Sequence, residues 1–212
     1  MSNRNLILFD WDGTLADSMP LCIGEIREAL EEMGHAQLPE ELIRQCNGPT
    51  DEESVQILGL TQEEGPVFLR LRQAAGLRLV TKIQKFFPGI RETLEKLAET
   101  YDLAVVSNGI PEYLDLSIQY LNCPLFTVVE GFQQGRTKTQ AVQEVLDRLK
   151  PGCAVMVGDR ISDFEAAHGC GVPVIAAKYG YGNEQERATA DLCVETASEL
   201  PDAVANLMNK GG

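Results

Sequence analysis

Two aspartates close together follow the first apolar run of the chain. Asp10 and Asp12 come directly after Leu6–Phe9, and Gly13 follows them. Residues two positions apart on an extended backbone point to the same side. The two carboxylates would therefore repel each other unless a cation or a proton lies between them. Taken alone, one such aspartate is better explained by a turn or a helix cap.

A second polar segment follows the apolar run 103–106. Ser107, Asn108 and Gly109 offer a hydroxyl group and backbone N–H groups just before a predicted helix. Such a place can bind an anion. The same residue types are also typical of an ordinary helix N-cap, so this segment is a weak signal by itself.

Lys138 is the third candidate, in the first turn of a predicted helix. Thr137 and Gln140 have the spacing of a capping box, which places the helix start at this point. A cation there opposes the helix dipole, and local conflicts of this kind often occur at functional residues. Arg136 is a competing candidate for the same charge.

A second pair of aspartates, Asp159 and Asp163, follows the apolar run 155–157. Ser162 and Glu165 also have capping-box spacing, so Asp163 could simply be a favourable acid in a first helical turn. Asp159 is harder to explain in this way, because it comes at a strand end. Together with Asp10 it offers the hard oxygen ligands that suit Mg²⁺.

These segments belong to a pattern in which short β-type runs alternate with helical runs. The pattern predicts an α/β fold with a doubly wound, mainly parallel sheet. Ligands collect at the carboxyl ends of the strands in such sheets, so we expect the four polar segments at one edge. The predicted strands are 6–9, 103–106, 126–129, 155–157, 174–176 and, more weakly, 192–194.

More than ninety residues separate the first two predicted strands, which is far beyond a normal connection. The pattern there is helical from Met19 to about Lys82. We therefore predict an α/β core made of 1–17 and 83–212, interrupted by a small helical domain at 18–82. Hinges are expected near 17–18 and 82–87, because the chain passes between the two parts there.

Composition excludes several kinds of partner. The 212 residues include 32 acidic and 18 basic ones, for a net charge of −14. Without a basic cluster we expect neither a nucleic acid polymer nor an anionic membrane as partner. The first apolar run is too short for a signal peptide, and no later run approaches the length of a membrane span. Six scattered cysteines without a Cys-x-x-Cys pair predict buried thiols in a cytoplasmic protein.

The order and spacing of the four polar segments resemble the motifs of the haloacid-dehalogenase-like hydrolase superfamily. The matching residues are Asp10-x-Asp12-Gly13-Thr14, Ser107, Lys138 and Gly158-Asp159 with Asp163. The resemblance implies a Rossmann-like core with a helical cap that selects the substrate. It also implies Mg²⁺-dependent hydrolysis of a small phosphorylated metabolite through an aspartyl phosphate. The dehalogenases of this superfamily lack an acid at the position of Asp12, so its presence favours a phosphatase or a mutase.

The resemblance also implies a role for each residue. Asp10 would be the nucleophile and Asp12 the general acid and base, while Lys138 would supply positive charge and Asp163 would orient Lys138 or a metal-bound water. The expected Mg²⁺ ligands are Asp10, Asp159 and the backbone carbonyl of Asp12. Substrate would be bound by Thr14, Ser107, Asn108 and Gly109 in the core and by Asn47 and Gly48 in the cap.

The substrate is less well defined. Segments 157–163, 171–173 and 178–182, with the Gly-Pro element at Gly48, resemble the phosphoglycolate-phosphatase branch, so phosphoglycolate is the first guess. Trp11 and Asn47 depart from that branch and could reshape the pocket. Arg44 could contact a substrate carboxylate, although an ion pair with Glu40 at i,i+4 spacing is the better explanation.

Other functions stay open at this point. Within the superfamily the alternatives are a phosphosugar mutase, a nucleotidase or a pyrophosphatase. Outside enzymes, the alternative is a phospho-aspartate signalling or binding module. We expect a monomer or a homodimer.

Overall fold

The computed structural model describes residues 4–47 and 49–210 of the chain. In chain order the elements are β1 (Leu6–Phe9), α1 (Met19–Glu32), α2 (Glu40–Arg44), α3 (Asp51–Ile57), α4 (Gly65–Ile83), α5 (Ile90–Ala98), β2 (Asp102–Val106), α6 (Pro111–Tyr120), β3 (Val128–Glu130), α7 (Lys138–Leu149), β4 (Ala154–Gly158), α8 (Ile161–Gly169), β5 (Val174–Ala177), α9 (Glu184–Arg187), β6 (Leu192–Val194) and α10 (Leu200–Lys210). A short 3₁₀ turn at Ala197–Glu199 precedes α10.

The chain divides into two compact units. Within the described residues, the first unit comprises 4–17, 86–114 and 122–210. The second comprises Ser18–Lys85 together with Asp115–Leu121, the second half of α6 and the residue after it. Their roles as catalytic core and substrate-selecting cap stay a prediction.

The first unit contains a parallel sheet of six strands among the described residues, in the order β3-β2-β1-β4-β5-β6. The chain builds outward from β1 to β3 and then returns to the other side of β1 for β4. Phe9 accordingly lies opposite Val105 in β2 and Val157 in β4. This reversal places the carboxyl ends of β1 and β4 side by side, which is where ligands bind in open α/β sheets.

The central strands are buried on both faces. Leu6 and Leu8 of β1 and Met156 of β4 pack in one cluster with Val142 of α7 and Phe164 of α8. The alternate residues of the same strands are also fully buried, so helices must cover the opposite face as well. The predicted α/β class and doubly wound sheet are therefore confirmed.

Strand β3 differs from its prediction. It begins at Val128 instead of Phe126, because pairing with β2 starts where the Thr127 amide donates to the Leu103 carbonyl at 2.8 Å. Phe126 instead packs edge-on against the ring of Trp11, with 6.0 Å between the ring centroids.

The second unit is helical. Its longest helices, α1 and α4, pack against each other and are joined by an ion pair between Arg72 Nε and Glu25 Oε1 at 2.7 Å. Helix α3 begins with the capping box formed by Thr50 and Glu53. No helix among the described residues has the length and apolar character needed to cross a bilayer.

The expectation of buried thiols is wrong in part. Three of the six cysteines are buried, Cys153 and Cys170 are half-buried, and Cys193 is exposed. All six are free thiols.

Candidate active site

Two buried carboxylates occupy neighbouring strand ends in the first unit. Asp10 follows β1 and Asp159 follows β4, and the Asp10 amide donates to the Val157 carbonyl at 2.9 Å. Their exposed fractions are 7% and 0%. The strand pairing therefore brings together two aspartates that lie far apart in the sequence.

Lys138 links Asp10, the candidate nucleophile, to a third carboxylate, that of Asp163. Its Nζ donates to Asp10 Oδ1 at 2.8 Å and to Asp163 Oδ1 at 2.5 Å, and its side chain is only 8% exposed. Lys138 is the first residue of α7, after an N-cap at Thr137 that forms the predicted capping box with Gln140. The cost of a cation at the helix start is therefore offset by two carboxylates.

Asp163 is held in place through both of its oxygens. Oδ1 accepts from Lys138, and Oδ2 accepts from the backbone amides of Asp159 and Arg160, each at 3.0 Å. The predicted helix start at Ser162 is wrong: α8 begins at Ile161 with Arg160 as the N-cap. The reason is that the Asp163 carboxylate itself satisfies the free amides of that turn.

Several backbone and side-chain groups support Asp159. Thr14 Oγ1 donates to Oδ1 at 3.3 Å, and the Tyr181 amide donates to Oδ2 at 2.8 Å. Gly13 has φ +80°, and a Cβ there would lie 2.4 Å from Asp159 Oδ2. Glycine is therefore required at position 13 for both its conformation and its close approach to the carboxylate.

Tyr181 was not among the candidate residues, although the sequence contains a signal for it. The Gly-Tyr-Gly segment 180–182 follows β5, the next strand along the sheet from β4. Turn residues at a strand end in this position are expected to approach the same edge of the sheet.

Oxygen atoms of Asp10, Asp159 and Asp163 lie within 4.8 Å of one another, and we call these three residues the carboxylate cluster. Burial raises the pKa of Asp10 well above its ordinary value, and the charge of Asp163 raises it further. Burial and the same neighbour raise the pKa of Asp159 to about 7. Burial alone would lower the pKa of Lys138, but Asp10 and Asp163 outweigh it and hold that pKa above its ordinary value.

The charges and donor atoms of this cluster fit a divalent cation. Three carboxylates face one ammonium group, which leaves two negative charges in excess. Hard carboxylate oxygens are the ligands that Mg²⁺ prefers. Asp159 is better placed than Asp163 to hold the ion, because Asp163 is paired with the Lys138 ammonium group and with two amides, whereas the Asp159 oxygens accept from a hydroxyl and one amide.

Asp12 lies outside the carboxylate cluster. Its Oδ1 accepts a hydrogen bond from the Tyr113 hydroxyl at 2.6 Å. The family resemblance implies that its backbone carbonyl, not its carboxylate, binds the metal. That assignment stays a prediction.

The loop after β2 is ordered by Ser107. The Ser107 amide donates to the Glu130 carbonyl at 2.9 Å, and Ser107 Oγ accepts from the Gly109 amide at 3.0 Å. Ser107 is buried and Asn108 is exposed. The N–H of Gly109 is thus used inside the loop, and its expected contact with substrate stays a prediction, as do those of Ser107, Asn108 and Thr14.

Arg136 has different partners from Lys138. Its guanidinium group is directed to Glu130 and Glu144, at 3.1 and 2.8 Å, and to the Gly131 carbonyl at 2.6 Å. These contacts tie the loop after β3 to α7. The competing assignment of Arg136 as the charge of the site is not supported by this geometry.

Trp11 is a core residue. It is fully buried, and its ring packs edge-on against Phe86 and Phe126 with centroids 6.0 Å apart in each pair. The idea that Trp11 reshapes a substrate pocket therefore has no support in its surroundings.

The second unit contains candidate substrate-binding residues, and those that the structure describes have partners within that unit. Arg44 donates to Glu40 Oε1 at 2.8 Å, so the ion pair favoured from the sequence is present. Asn47 Nδ2 lies 3.9 Å from Met19 Sδ. Gly48 lies outside the described residues. A role of Asn47 and Gly48 in substrate binding stays a prediction.

Comparison with known proteins decides the family. A family model described as "haloacid dehalogenase-like hydrolase" matches residues 7–177 of the chain. The chain belongs to this family. The resemblance inferred from the four motifs is thereby confirmed.

Several curated relatives are named phosphoglycolate phosphatase. The chain is 26% identical to a phosphoglycolate phosphatase of Synechococcus elongatus, over 96% of this chain and 99% of the relative. It is 29% identical to one from Aliivibrio fischeri, over 84% and 86% of the two chains. A haloacid dehalogenase-like hydrolase of Streptococcus pneumoniae has the same fold, with a TM-score of 0.86, 21% identity and coverage of 96% and 100%.

Proposed function

We propose that this phosphatase hydrolyses a small phosphomonoester by moving the phosphoryl group first to Asp10 and then to water. The observation that carries the proposal is the position of Asp10. It is a buried carboxylate at the carboxyl end of β1, 2.8 Å from the ammonium group of Lys138 and beside Asp159.

In the first step, the Asp10 oxygen that does not contact Lys138 attacks phosphorus. A bond forms between that oxygen and phosphorus, and the bond between phosphorus and the ester oxygen breaks. The leaving alkoxide takes a proton from the Asp12 carboxyl group, which acts as the general acid.

In the second step, a water molecule attacks the phosphorus of the aspartyl phosphate. Asp12, now ionised, accepts the proton of that water as the general base. The bond between phosphorus and Asp10 breaks, which returns the Asp10 carboxylate and releases inorganic phosphate.

Both steps concentrate negative charge, and catalysis of phosphoryl transfer depends on neutralising it. Lys138 contributes a fixed positive charge, and Asp163 holds Lys138 in position. Ser107 and the Asn108 amide would bind the phosphoryl oxygens. We propose Mg²⁺ as the cofactor, held by Asp10 and Asp159. When bound there, Mg²⁺ would supply positive charge that keeps Asp10 ionised and offsets the charge of the phosphoryl group.

For the substrate we propose 2-phosphoglycolate as the first candidate. The support is the name phosphoglycolate phosphatase, which is carried by relatives that are 26% and 29% identical to this chain. A small acid phosphate also suits a chain of net charge −14, because attraction is needed only locally at Lys138 and the cation. The oligomeric state and the cytoplasmic location remain predictions from the sequence.

The test is phosphate release from a panel of esters, with Mg²⁺ and with a chelator. The panel contains 2-phosphoglycolate, sugar phosphates, nucleoside monophosphates, pyrophosphate and p-nitrophenyl phosphate. We expect Mg²⁺-dependent turnover that is lost in Asp10→Asn and kept in Asp147→Asn, the same change at an exposed aspartate of the first unit. No turnover of any ester by the metal-loaded protein would contradict the proposal.

The same experiment separates the alternative functions. A mutase would return the phosphoryl group to a second hydroxyl, which product analysis detects. Preferred turnover of nucleotides or pyrophosphate would identify those activities. A phospho-aspartate that persists for many minutes, without phosphate release, would instead indicate a signalling module.

A further inference from the structure

Tyr113 makes a short hydrogen bond to Asp12, the proposed general acid and base. Its hydroxyl donates to Asp12 Oδ1 at 2.6 Å, across 101 positions of sequence, and both residues belong to the first unit. We propose that Tyr113 is the positioning residue for Asp12, an inference that rests on the proposed function. It would hold the carboxyl group in one orientation while the proton is transferred.

The backbone fixes where this hydroxyl lies. Tyr113 is the third residue of α6, a helix that begins at Pro111, whose ring presets the backbone for the first turn. The aromatic ring of Tyr113 passes directly over Gly109: a Cβ at Gly109 would lie 2.9 Å from Tyr113 Cδ1. The loop after β2 therefore has a glycine where the ring needs space, and the half-buried ring has little freedom to move.

The hydrogen bond addresses a requirement of the reaction. An aspartate carboxyl group rotates broadly about its terminal torsion, yet Asp12 must present one oxygen to the leaving group and later to water. A hydroxyl bonded to Oδ1 at 2.6 Å has the short length of a charge-assisted bond. It occupies one oxygen and so sets the direction of the other. We assign Tyr113 no contact with the reacting atoms, so its effect is expected to pass through Asp12.

Tyr113→Phe removes the hydroxyl and keeps the ring over Gly109. Help from a general acid matters most when the leaving group is a basic alkoxide and least when it is nitrophenolate. The rate of leaving-group release is therefore measured in a single turnover for two substrates. One is the best alkyl phosphomonoester of the panel, and the other is p-nitrophenyl phosphate.

We expect Tyr113→Phe to slow release from the alkyl ester about tenfold, the loss of one hydrogen bond to a charged group, with release from p-nitrophenyl phosphate changed less than about threefold. KM is expected to stay the same, because Tyr113 is not assigned to substrate. Tyr120→Phe, the same change at an exposed residue of α6, should behave like the wild type. Thermal unfolding of each variant checks that the fold is retained.

A double-mutant cycle with Asp12→Asn completes the test. If Tyr113 acts through Asp12, adding Tyr113→Phe to Asp12→Asn has no further effect on the p-nitrophenyl phosphate and alkyl ester rates. Equal slowing of both substrates by Tyr113→Phe, no slowing of either, or additive losses in the cycle would each overturn the inference while leaving the phosphatase activity intact. Absence of turnover in the wild type would overturn the proposed function and the inference with it.

Discussion

Replacing Lys138 with methionine tests the electrostatic arrangement of the carboxylate cluster. The change keeps an unbranched side chain of similar length and removes the charge. At 2.8 Å, the attraction between the ammonium group and Asp10 is about 6 kcal/mol at an effective dielectric constant of about 20. Part of that attraction offsets the cost of burying the ions, so the expected loss is that of a broken buried pair, about 3–5 kcal/mol.

This loss should be visible as thermal destabilisation. For a protein of this size, about 1 kcal/mol corresponds to about 2–4 °C, so Tm of Lys138→Met should fall by about 6–20 °C. The measurement is scanning calorimetry of the chelator-treated protein at about pH 8.5. Lys96→Met, the same change at an exposed position of α5, serves as the control and should change Tm by no more than about 2 °C.

The pH dependence of the deficit provides a second readout. Lys138 lowers the pKa of Asp10, so its removal lets that pKa rise further above its ordinary value. The folded variant then binds a proton more readily than the unfolded chain, and its free energy of unfolding increases as the pH falls. The difference in Tm from the wild type should therefore be smaller at about pH 5.5 than at about pH 8.5. A Tm equal to that of Lys96→Met, or a deficit that does not depend on pH, would refute this reasoning.

Three further changes have defined outcomes. Asp10→Asn should lower turnover of the ester panel by at least about 10⁴-fold, because the nucleophile is lost, with an unchanged circular dichroism spectrum; retained activity would exclude Asp10 as nucleophile. Arg136→Gln should change kcat less than about threefold and lower the free energy of unfolding by about 1–3 kcal/mol. The reason is that Arg136 contacts Glu130, Glu144 and the Gly131 carbonyl. A large loss of kcat at unchanged stability would contradict this assignment. In the presence of a chelator, the free energy of unfolding should fall as the pH rises from about 4 towards 7. The reason is that the folded-state pKa of Asp159 is about 7, whereas its ordinary value is 3.8. Added Mg²⁺ should reverse that loss in calorimetry at about pH 7.5, and no effect of Mg²⁺ would argue against the metal site.

Strands and helix starts could be predicted where local pattern and packing agree. The run Leu6–Phe9 is a strand as predicted, because four apolar residues in a row suit a strand buried on both faces. Helix α7 begins where the spacing of Thr137 and Gln140 placed it. The start of α8 was misplaced because Asp163, through its side chain, replaces Ser162 as the capping group.

Contacts between distant segments could not be predicted in the same way. The sequence placed Asp10, Lys138, Asp159 and Asp163 at one edge of the sheet, but the strand order that brings β1 and β4 together is a property of the fold. The bond from Tyr113 to Asp12 depends on the direction in which α6 leaves β2, and no local pattern carries that information. Arg136 was a competing candidate for the charge assigned to Lys138, and their partners in the structure distinguish the two residues.

The central claim is that Asp10 carries the phosphoryl group during turnover. The most direct test is to mix the Mg²⁺-loaded protein with its best phosphomonoester, quench the reaction with acid within milliseconds and reduce the acyl phosphate with borohydride. Peptide mass spectrometry then locates the homoserine that the reduction creates from a phosphorylated aspartate. We predict homoserine at position 10, dependent on substrate and absent from Asp10→Asn. Turnover of the ester with no trapped residue, or with the modification at any other aspartate, would contradict the account.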